Sequence, residues 1–150
     1  MELHVKTFAQ LTSLELYALL RARQEVFILE QNCVYLDADG TDIVATHLFY
    51  KEGEEEGANI LASCRLYWDP EEDNQVLLGR VLTTRRGEGH GLKLVLEGVA
   101  FAKEYYRPNT ILIHAQEYAI PFYEKADFVV CSGTFLEDGI KHKMMKISCS

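Results

Sequence analysis

Three alternating glycines give the segment Arg86-Gly87-Glu88-Gly89-His90-Gly91 the spacing of a phosphate-binding turn. The segment joins an apolar run, Val76 to Thr83, to an amphipathic stretch that begins at Leu92, which predicts a strand, a turn and a helix. Glycines let main-chain N–H groups approach a ligand closely, and the helix start adds the positive end of its dipole. Because Arg85 and Arg86 add permanent positive charge, the turn suits a diphosphate. The alternative is a tight connection that binds no ligand.

The residues after the turn exclude two common phosphate-binding motifs. Leu94 stands where the dinucleotide fingerprint needs its third glycine, and no Gly-Lys-Ser/Thr sequence follows. Apolar residues recur three and four positions apart along the predicted helix, at Leu92, Val95, Leu96 and Val99. We expect this face to pack on a sheet and to hold the turn rigid.

The elements that must position the turn follow from periodicity and turn residues. Thr12-Ser13-Leu14-Glu15 fits a capping box, which predicts a helix from Ser13 to about Glu30. Two more helices are predicted, at Gly89 to Tyr106 and Ile120 to Lys125. The predicted strands are Leu3 to Phe8, Ile43 to Lys51, Ile60 to Trp68, Val76 to Thr83, Thr110 to His114, Phe128 to Cys131 and Lys141 to Ile147, the last two around a turn at Glu137-Asp138-Gly139. This order predicts an α/β (α+β) fold with a mixed, mostly antiparallel central sheet and helices on both faces.

Composition limits the class of protein. The 150 residues, 48% of them hydrophobic, fit one domain with an ordinary core. No apolar run approaches the roughly 20 residues of a membrane span, and the first residues are too polar for a secretory leader, so we expect a cytoplasmic protein without membrane contact. The four cysteines show no Cys-x-x-Cys pair, which indicates free thiols and no metal site.

The charge of the chain indicates what it binds. A net charge of −8 argues against a nucleic-acid partner and mildly favours a cationic one, although solvated acidic loops would give the same charge. Exposed strands at the two ends of the predicted sheet would allow a homodimer.

A second motif follows the glycine turn at Ala119-Ile120-Pro121-Phe122-Tyr123-Glu124-Lys125-Ala126-Asp127-Phe128. The Arg-x-x-Gly-x-Gly turn and this segment, in this order, resemble the two signature regions of the GNAT superfamily of acetyl-coenzyme A-dependent N-acetyltransferases. Within that superfamily most of the chain resembles the ElaA-like branch. The segments that carry this likeness are Leu20 to Phe27, Glu30 to Cys33, Asp39 to Asp42, His47, Gly79 to Val81, Ala115-Gln116 and Leu136 to His142.

Three residues depart from the common GNAT pattern. Gln116 stands where many members have Asn, although Ala-Gln resembles the ElaA-like branch. Asp127 replaces the usual glycine, so the turn there must tolerate a side chain. Glu88 places a carboxylate in the phosphate turn, where it would repel a diphosphate unless it points outward.

The resemblance implies direct attack of an amine on the acetyl-CoA thioester. Tyr123 matches the tyrosine that protonates the departing thiolate, and a phenol with a pKa of about 10 still holds its proton at neutral pH. Main-chain groups of Val81, Leu82 and Thr83 are expected to hold the acetyl carbonyl and pantetheine. The remaining CoA contacts are expected from the turn at Arg85 to Gly91 and from Gln116, Phe122 and Tyr123.

The residue that deprotonates or steers the amine is less defined. Glu30 and His47 are the first candidates, and Glu25 and His114 are further candidates. The alternatives are solvated or capping glutamates and hydrogen-bonded core histidines.

Two arginines lie within strand runs and need partners if they are buried. Arg65 and Arg80 would pair with Glu25, Glu30 or Asp42, or bind a substrate carboxylate.

The sequence favours an N-acetyltransferase for an unidentified amine, with a noncatalytic acyl-CoA-binding or sensing module as the alternative. A third interpretation is transfer of a longer acyl group. We expect Gly89→Val or Gly91→Val to weaken CoA binding without unfolding the chain, and we expect Glu30 with Glu25 to gather a cationic acceptor.

Overall fold

The computed structural model describes residues 1–149, and within them eight strands form one sheet. The strands are β1 (His4–Thr7), β2 (Thr46–Lys51), β3 (Ile60–Trp68), β4 (Gln75–Thr83), β5 (Thr110–Gln116), β6 (Val129–Val130), β7 (Phe135–Glu137) and β8 (Ile140–Ser148). Their order across the sheet is β1-β2-β3-β4-β5-β8-β6, and β7 also pairs with β8. Among these pairs only β4 and β5 run parallel, which confirms the mostly antiparallel sheet.

Three helices accompany the sheet. They are α1 (Ser13–Arg23), α2 (His90–Phe101) and α3 (Ile120–Glu124). The first two continue as π-helical segments, Gln24–Glu30 and Ala102–Tyr106. The predicted capping box is confirmed, because Thr12 Oγ1 accepts a hydrogen bond from the Glu15 N–H at 3.1 Å and the Thr12 N–H donates to Glu15 Oε1 at 3.0 Å.

The helices cover both faces of the sheet, as predicted. Successive side chains of a strand point to opposite faces. Phe49 of β2 packs with Ala18, Leu19 and Ala22 of α1. Its neighbours Leu48 and Tyr50 belong to the core on the α2 face, whose helical members are Leu94, Val95 and Val99. We call these the α1 face and the α2 face.

The apolar face of α2 is rotated from the prediction. Leu96 is exposed, whereas Leu94 is fully buried. The buried α2 residues are Gly91, Leu94, Val95, Gly98 and Val99. Two of these five are glycines, which a search for hydrophobic periodicity does not mark.

The largest errors in the predicted strands concern β2 and β7. β2 begins at Thr46 and not at Ile43, because Thr41–Ile43 forms a 3₁₀ turn. The strand that enters the turn at Asp138-Gly139 is β7, which the sequence analysis missed. Both turn residues have positive φ, 52° and 76°, and Glu137 pairs directly with Ile140. Such a two-residue hairpin needs paired residues immediately before it.

The sheet opens between β4 and β5. Their pairing covers only Gln75–Leu77 with Thr110–Leu112. Beyond Leu77, β4 also carries a bulge, since Ser63 pairs with Leu82 while Arg65 pairs with Gly79. The bulge includes Arg80, whose φ of 51° is left-handed. No helix within residues 1–149 has both the length and the apolar character that a bilayer crossing requires.

Candidate active site

A cavity of about 680 Å³ lies where β4 and β5 separate. We call it the central cavity; its walls come from the end of the helix that begins with α1, from β4, β5 and α3, and from the β7–β8 hairpin. Nine of the predicted site residues line it: Glu30, Val81, Leu82, Thr83, Arg86, Gly91, Gln116, Phe122 and Tyr123. The remaining predicted residues, His47, Arg85, Gly87, Glu88, Gly89 and His90, do not.

The central cavity passes through the sheet. On the α1 face, Gln116 Nε2 donates a hydrogen bond to Gln31 Oε1 at 3.1 Å. On the α2 face, Phe122 and Tyr123 pack against the core beneath α2. All four residues line the cavity. A molecule that entered from each face would therefore meet the other between the two strands.

The wall formed by β4 offers main-chain hydrogen-bonding groups. Because β5 diverges after Leu77, the residues from Leu78 to Thr83 lack a partner strand on that side. The bulge at Arg80 and Val81 also removes these residues from regular pairing with β3. Main-chain N–H and C=O groups are obligatory hydrogen-bonding groups, so this wall suits a ligand with its own amides and carbonyl.

The glycine turn forms the start of α2. Gly89 is the N-cap residue with φ 78°, and no side chain caps the helix. The first N–H groups of a helix have no intrahelical partner, so they are available to an anion. Gly91 faces the cavity, where an added Cβ would lie 3.5 Å from Phe122 Cζ and 3.8 Å from Thr83 Cβ.

The charged residues of the turn point in different directions. Arg86 lines the cavity, and its Nη2 lies 3.4 Å from Glu30 Oε2. Arg85 is paired with Glu52 outside the central cavity. The Glu88 side chain is about half exposed and does not line the central cavity. His90 Nδ1 is buried and has no hydrogen-bond partner among residues 1–149.

Tyr123 lies on α3 between two aromatic rings. Its ring centroid is 5.0 Å from that of Phe122 and 6.0 Å from that of Phe128, both edge to face. Burial raises the pKa of Tyr123 above its usual range, so the phenol keeps its proton at neutral pH. Asp127, which replaces the family glycine, has φ 70°, a conformation that Asp tolerates better than most residues.

The structure does not bring His47 to the central cavity. His47 is buried, and its Nε2 lies 2.9 Å from the carbonyl oxygen of Asp42, to which it donates. Burial lowers the pKa of His47, which keeps the ring neutral. A neutral histidine bonded to a carbonyl is the hydrogen-bonded core residue that was the alternative to a catalytic role.

The strand arginines pair with aspartates. Arg65 donates to Asp42 at 2.9 Å, as one alternative predicted, and to Asp39 at 2.7 Å. Arg80 lines the cavity, donates to Asp37 at 2.9 Å and contacts Asp39 at 3.4 Å. Neither pairs with the predicted glutamates, because both bind carboxylates of the loop from Asp37 to Asp42.

The two glutamates of the first helix are separated. Glu30 lines the central cavity. Glu25 is paired with Arg21 at 3.1 Å and lines a second cavity of about 400 Å³ beside Glu52 and Arg85. We call this second site the outer cavity. The two glutamates of the first helix therefore line different cavities.

A histidine and a carboxylate meet on the wall at the β7–β8 hairpin. His114 Nδ1 lies 2.9 Å from Glu137 Oε1, and both residues line the central cavity. The hydrogen bond raises the pKa of His114 and lowers the pKa of Glu137. The sequence predicted Glu137 only as a turn residue, because its strand, β7, was missed. The Asp138-Gly139 pair, which is typical of a two-residue hairpin, was the signal that would have placed Glu137 at the end of a strand.

A sequence profile described as "Acetyltransferase (GNAT) domain" matches residues 70–149. UPF0039 protein C11D3.02c of Schizosaccharomyces pombe is 35% identical over 98% of this chain and 97% of its own length. Protein ElaA of Escherichia coli is 30% identical over 89% of this chain and 88% of its own length. The crystal structure of an acyl-CoA N-acyltransferase from Pseudomonas aeruginosa superposes with a TM-score of 0.85 at 32% identity, covering 97% of this chain and 99% of that one.

Proposed function

Because the chain belongs to the GNAT acetyltransferase family, whose fold serves acyl-CoA-dependent acyl transfer, we propose that it moves an acetyl group from acetyl-CoA to an amine nitrogen. One observation carries this proposal. The uncapped start of α2 and the Tyr123 side chain flank one cavity that passes between two diverging strands. An anion site and a proton donor are the two features that CoA binding and thiolate release need.

The glycine turn and the central cavity beside it would bind successive parts of CoA. The pyrophosphate would accept hydrogen bonds from the main-chain N–H groups of residues 87–91, with Arg86 beside them. The pantetheine amides would pair with β4 at Val81, Leu82 and Thr83, in the place that β5 leaves open. Gln116 and Phe122 would complete the walls. The proposed reaction uses no metal ion.

In the reaction, the neutral amine attacks the thioester carbon directly. The C–S bond breaks with its electron pair on sulfur, and Tyr123 gives its hydroxyl proton to that sulfur. The position of Tyr123 in the wall of the central cavity supports this role, because a phenol in this place is protonated at neutral pH and can reach a leaving group between the strands.

The acceptor is proposed to be cationic in solution. Glu30, the glutamate of the first helix that lines the cavity, supports this class. Its contact with Arg86 is long and both side chains are largely exposed, so an incoming ammonium can compete for the carboxylate. The alternative remains a noncatalytic acyl-CoA-binding or sensing module.

The test is thiol release from acetyl-CoA with a panel of polyamines, amino-acid esters and lysine peptides. We expect release that depends on both the protein and one amine class. Tight CoA binding without release by any amine would favour the binding module. Thiol release from hexanoyl-CoA but not from acetyl-CoA would mean that the acyl donor is a longer acyl-CoA.

A further inference from the structure

The His114–Glu137 pair has the geometry of an oriented base. A carboxylate is only an acceptor, so the proton in this hydrogen bond lies on His114 Nδ1. In the neutral ring Nε2 then carries the lone pair, and it has no hydrogen-bond partner among residues 1–149. In catalytic triads, a carboxylate bonded to Nδ1 fixes the imidazole tautomer in the same way, so that Nε2 can take a proton.

The ring is also held in place by packing. Phe135 of β7 meets the His114 ring edge to face, with centroids 5.7 Å apart. The same Phe135 stacks on His142 at 5.8 Å, and His142 Nδ1 donates to the Ile140 carbonyl at 2.7 Å. The β7–β8 hairpin therefore fixes both the orientation and the tautomer of His114.

We propose that His114 is the general base that takes the proton from the acceptor amine, and that Glu137 is its positioning residue. This assignment rests on the proposed function and goes beyond it. The other candidates are less suitable. His47 lies outside the central cavity. Glu30 is about half exposed and its carboxylate contacts Arg86 at 3.4 Å, whereas His114 is oriented by Glu137 at 2.9 Å.

The proposed base and acid stand on opposite faces of the sheet. Side chains two residues apart on a strand share a face, so His114 lies on the α1 face with Gln116, which bonds Gln31 there. Tyr123 lies on the α2 face. An amine would thus enter from the α1 face and meet the thioester between β4 and β5, with one proton-transfer group on each side.

The protons balance over one turnover. The amine nitrogen bonds to the thioester carbon and gives one proton to His114 Nε2. The C–S bond breaks towards sulfur, which takes the Tyr123 proton. The proton on His114 returns through water to the Tyr123 phenolate, so neutral amine and acetyl-CoA become amide and free CoA thiol.

The groups around His114 determine the direction of its pKa shift and therefore how kcat should depend on pH. The hydrogen bond to Glu137 raises the pKa of His114, and burial lowers it by a smaller amount. The negative charge of Asp69 also raises the pKa of His114. His142 Nε2 lies 3.7 Å from the other Glu137 oxygen, and the charge of Arg80 also acts on Glu137. A base works only when unprotonated, so kcat should fall as pH decreases through a pKa above about 6.5.

The experiment compares the pH profile of kcat and the NMR titration of the His114 ring in three variants. Glu137→Gln keeps a hydrogen-bond acceptor but removes the charge, so we expect both the kcat limb and the His114 titration to move to lower pH. His114→Gln should lower kcat on the order of 10²-fold with unchanged acetyl-CoA affinity by calorimetry. His4→Gln, on the edge strand β1, is the control and should change neither.

Wild-type kcat in a folded His114→Gln variant would overturn the base assignment, and so would a kcat limb that Glu137→Gln does not move. In either case acetyl-CoA binding and amine-dependent thiol release would still support the proposed function. If calorimetry finds no acetyl-CoA binding to the wild-type chain, the proposed function fails and this assignment fails with it. The NMR titration still tests the His114–Glu137 contact by itself.

Discussion

Arg23 of α1 binds the carboxylate of Asp42 through two hydrogen bonds, Nη1 to Oδ1 at 2.7 Å and Nη2 to Oδ2 at 3.2 Å. Both residues are buried, at 4% and 7% exposure. Arg23 also donates to Asp37, whose second oxygen accepts from Arg80 of the β4 bulge. A chain of ion pairs therefore connects the first helix to the strand that forms the cavity wall.

The first prediction concerns this chain of ion pairs. Arg23→Met leaves the buried carboxylates of Asp37 and Asp42 with fewer partners, so we expect the free energy of unfolding to fall by about 3 kcal/mol. Arg21→Met, two positions away, removes only an exposed pair with Glu25 and should cost less than about 1 kcal/mol. Urea unfolding followed by circular dichroism measures both. Equal losses in the two variants would contradict the structural role of Arg23.

The second prediction concerns the glycine turn. A Cβ at Gly89 meets no protein atom within 4 Å, so Gly89→Ala adds backbone strain and an obstacle to a ligand, but no clash. Gly53→Ala is a matched control, because Gly53 also has positive φ and open space but lies in the acidic turn before β3. We expect each variant to lose roughly 1–2 kcal/mol of stability. Only Gly89→Ala should weaken CoA binding, at least about tenfold by calorimetry.

The outcome that would count against the phosphate site is equal CoA affinity in the Gly89 and Gly53 variants. Such a result would mean that the turn only joins β4 to α2.

The third prediction is that Tyr123→Phe lowers turnover and leaves CoA affinity unchanged. The substitution keeps the ring between Phe122 and Phe128 and removes only the hydroxyl proton. Steady-state kinetics should show a loss on the order of 10²-fold in kcat. Tyr105→Phe, on an exposed ring outside the cavity, serves as the control. If Tyr123→Phe turns over at the wild-type rate, water or another group protonates the thiolate.

The fourth prediction separates the two glutamates. Attraction between Glu30 and a cationic amine should weaken with salt, because the screening length falls from about 10 Å at 0.1 M to about 3 Å at 1 M. Glu30→Gln should therefore raise KM at low salt and flatten its salt dependence. Glu25→Gln, in the outer cavity, should leave both unchanged. A salt-independent KM in the wild type, or a preference for anionic acceptors, would exclude the electrostatic role.

Local signals in the sequence predicted much of the fold. The capping box at Thr12 and the bounds of β3 are confirmed, because both depend on neighbouring residues. The glycine turn and the segment around Tyr123 were also found as local motifs.

Apart from Arg65 with Asp42, which was one of several alternatives, contacts between distant residues were not predicted. His114 and Glu137 are 23 positions apart, and Arg80 and Asp37 are 43 apart. Their meeting depends on the β7–β8 hairpin and on the bulge in β4, and neither leaves a pattern of hydrophobic periodicity. The contact between His114 and Glu137 could therefore be found only once the strand pairing was known. Tyr123, in contrast, could be found from its local motif alone.

The most direct test of acetyl transfer is mass spectrometry of an amine panel after incubation with acetyl-CoA and the protein. We predict an acetylated product from a cationic amine, formed together with an equal amount of free CoA thiol and reduced about 10²-fold in Tyr123→Phe. If acetyl-CoA binds but no amine in the panel becomes acetylated, the protein is a binding module and the proposed reaction is wrong.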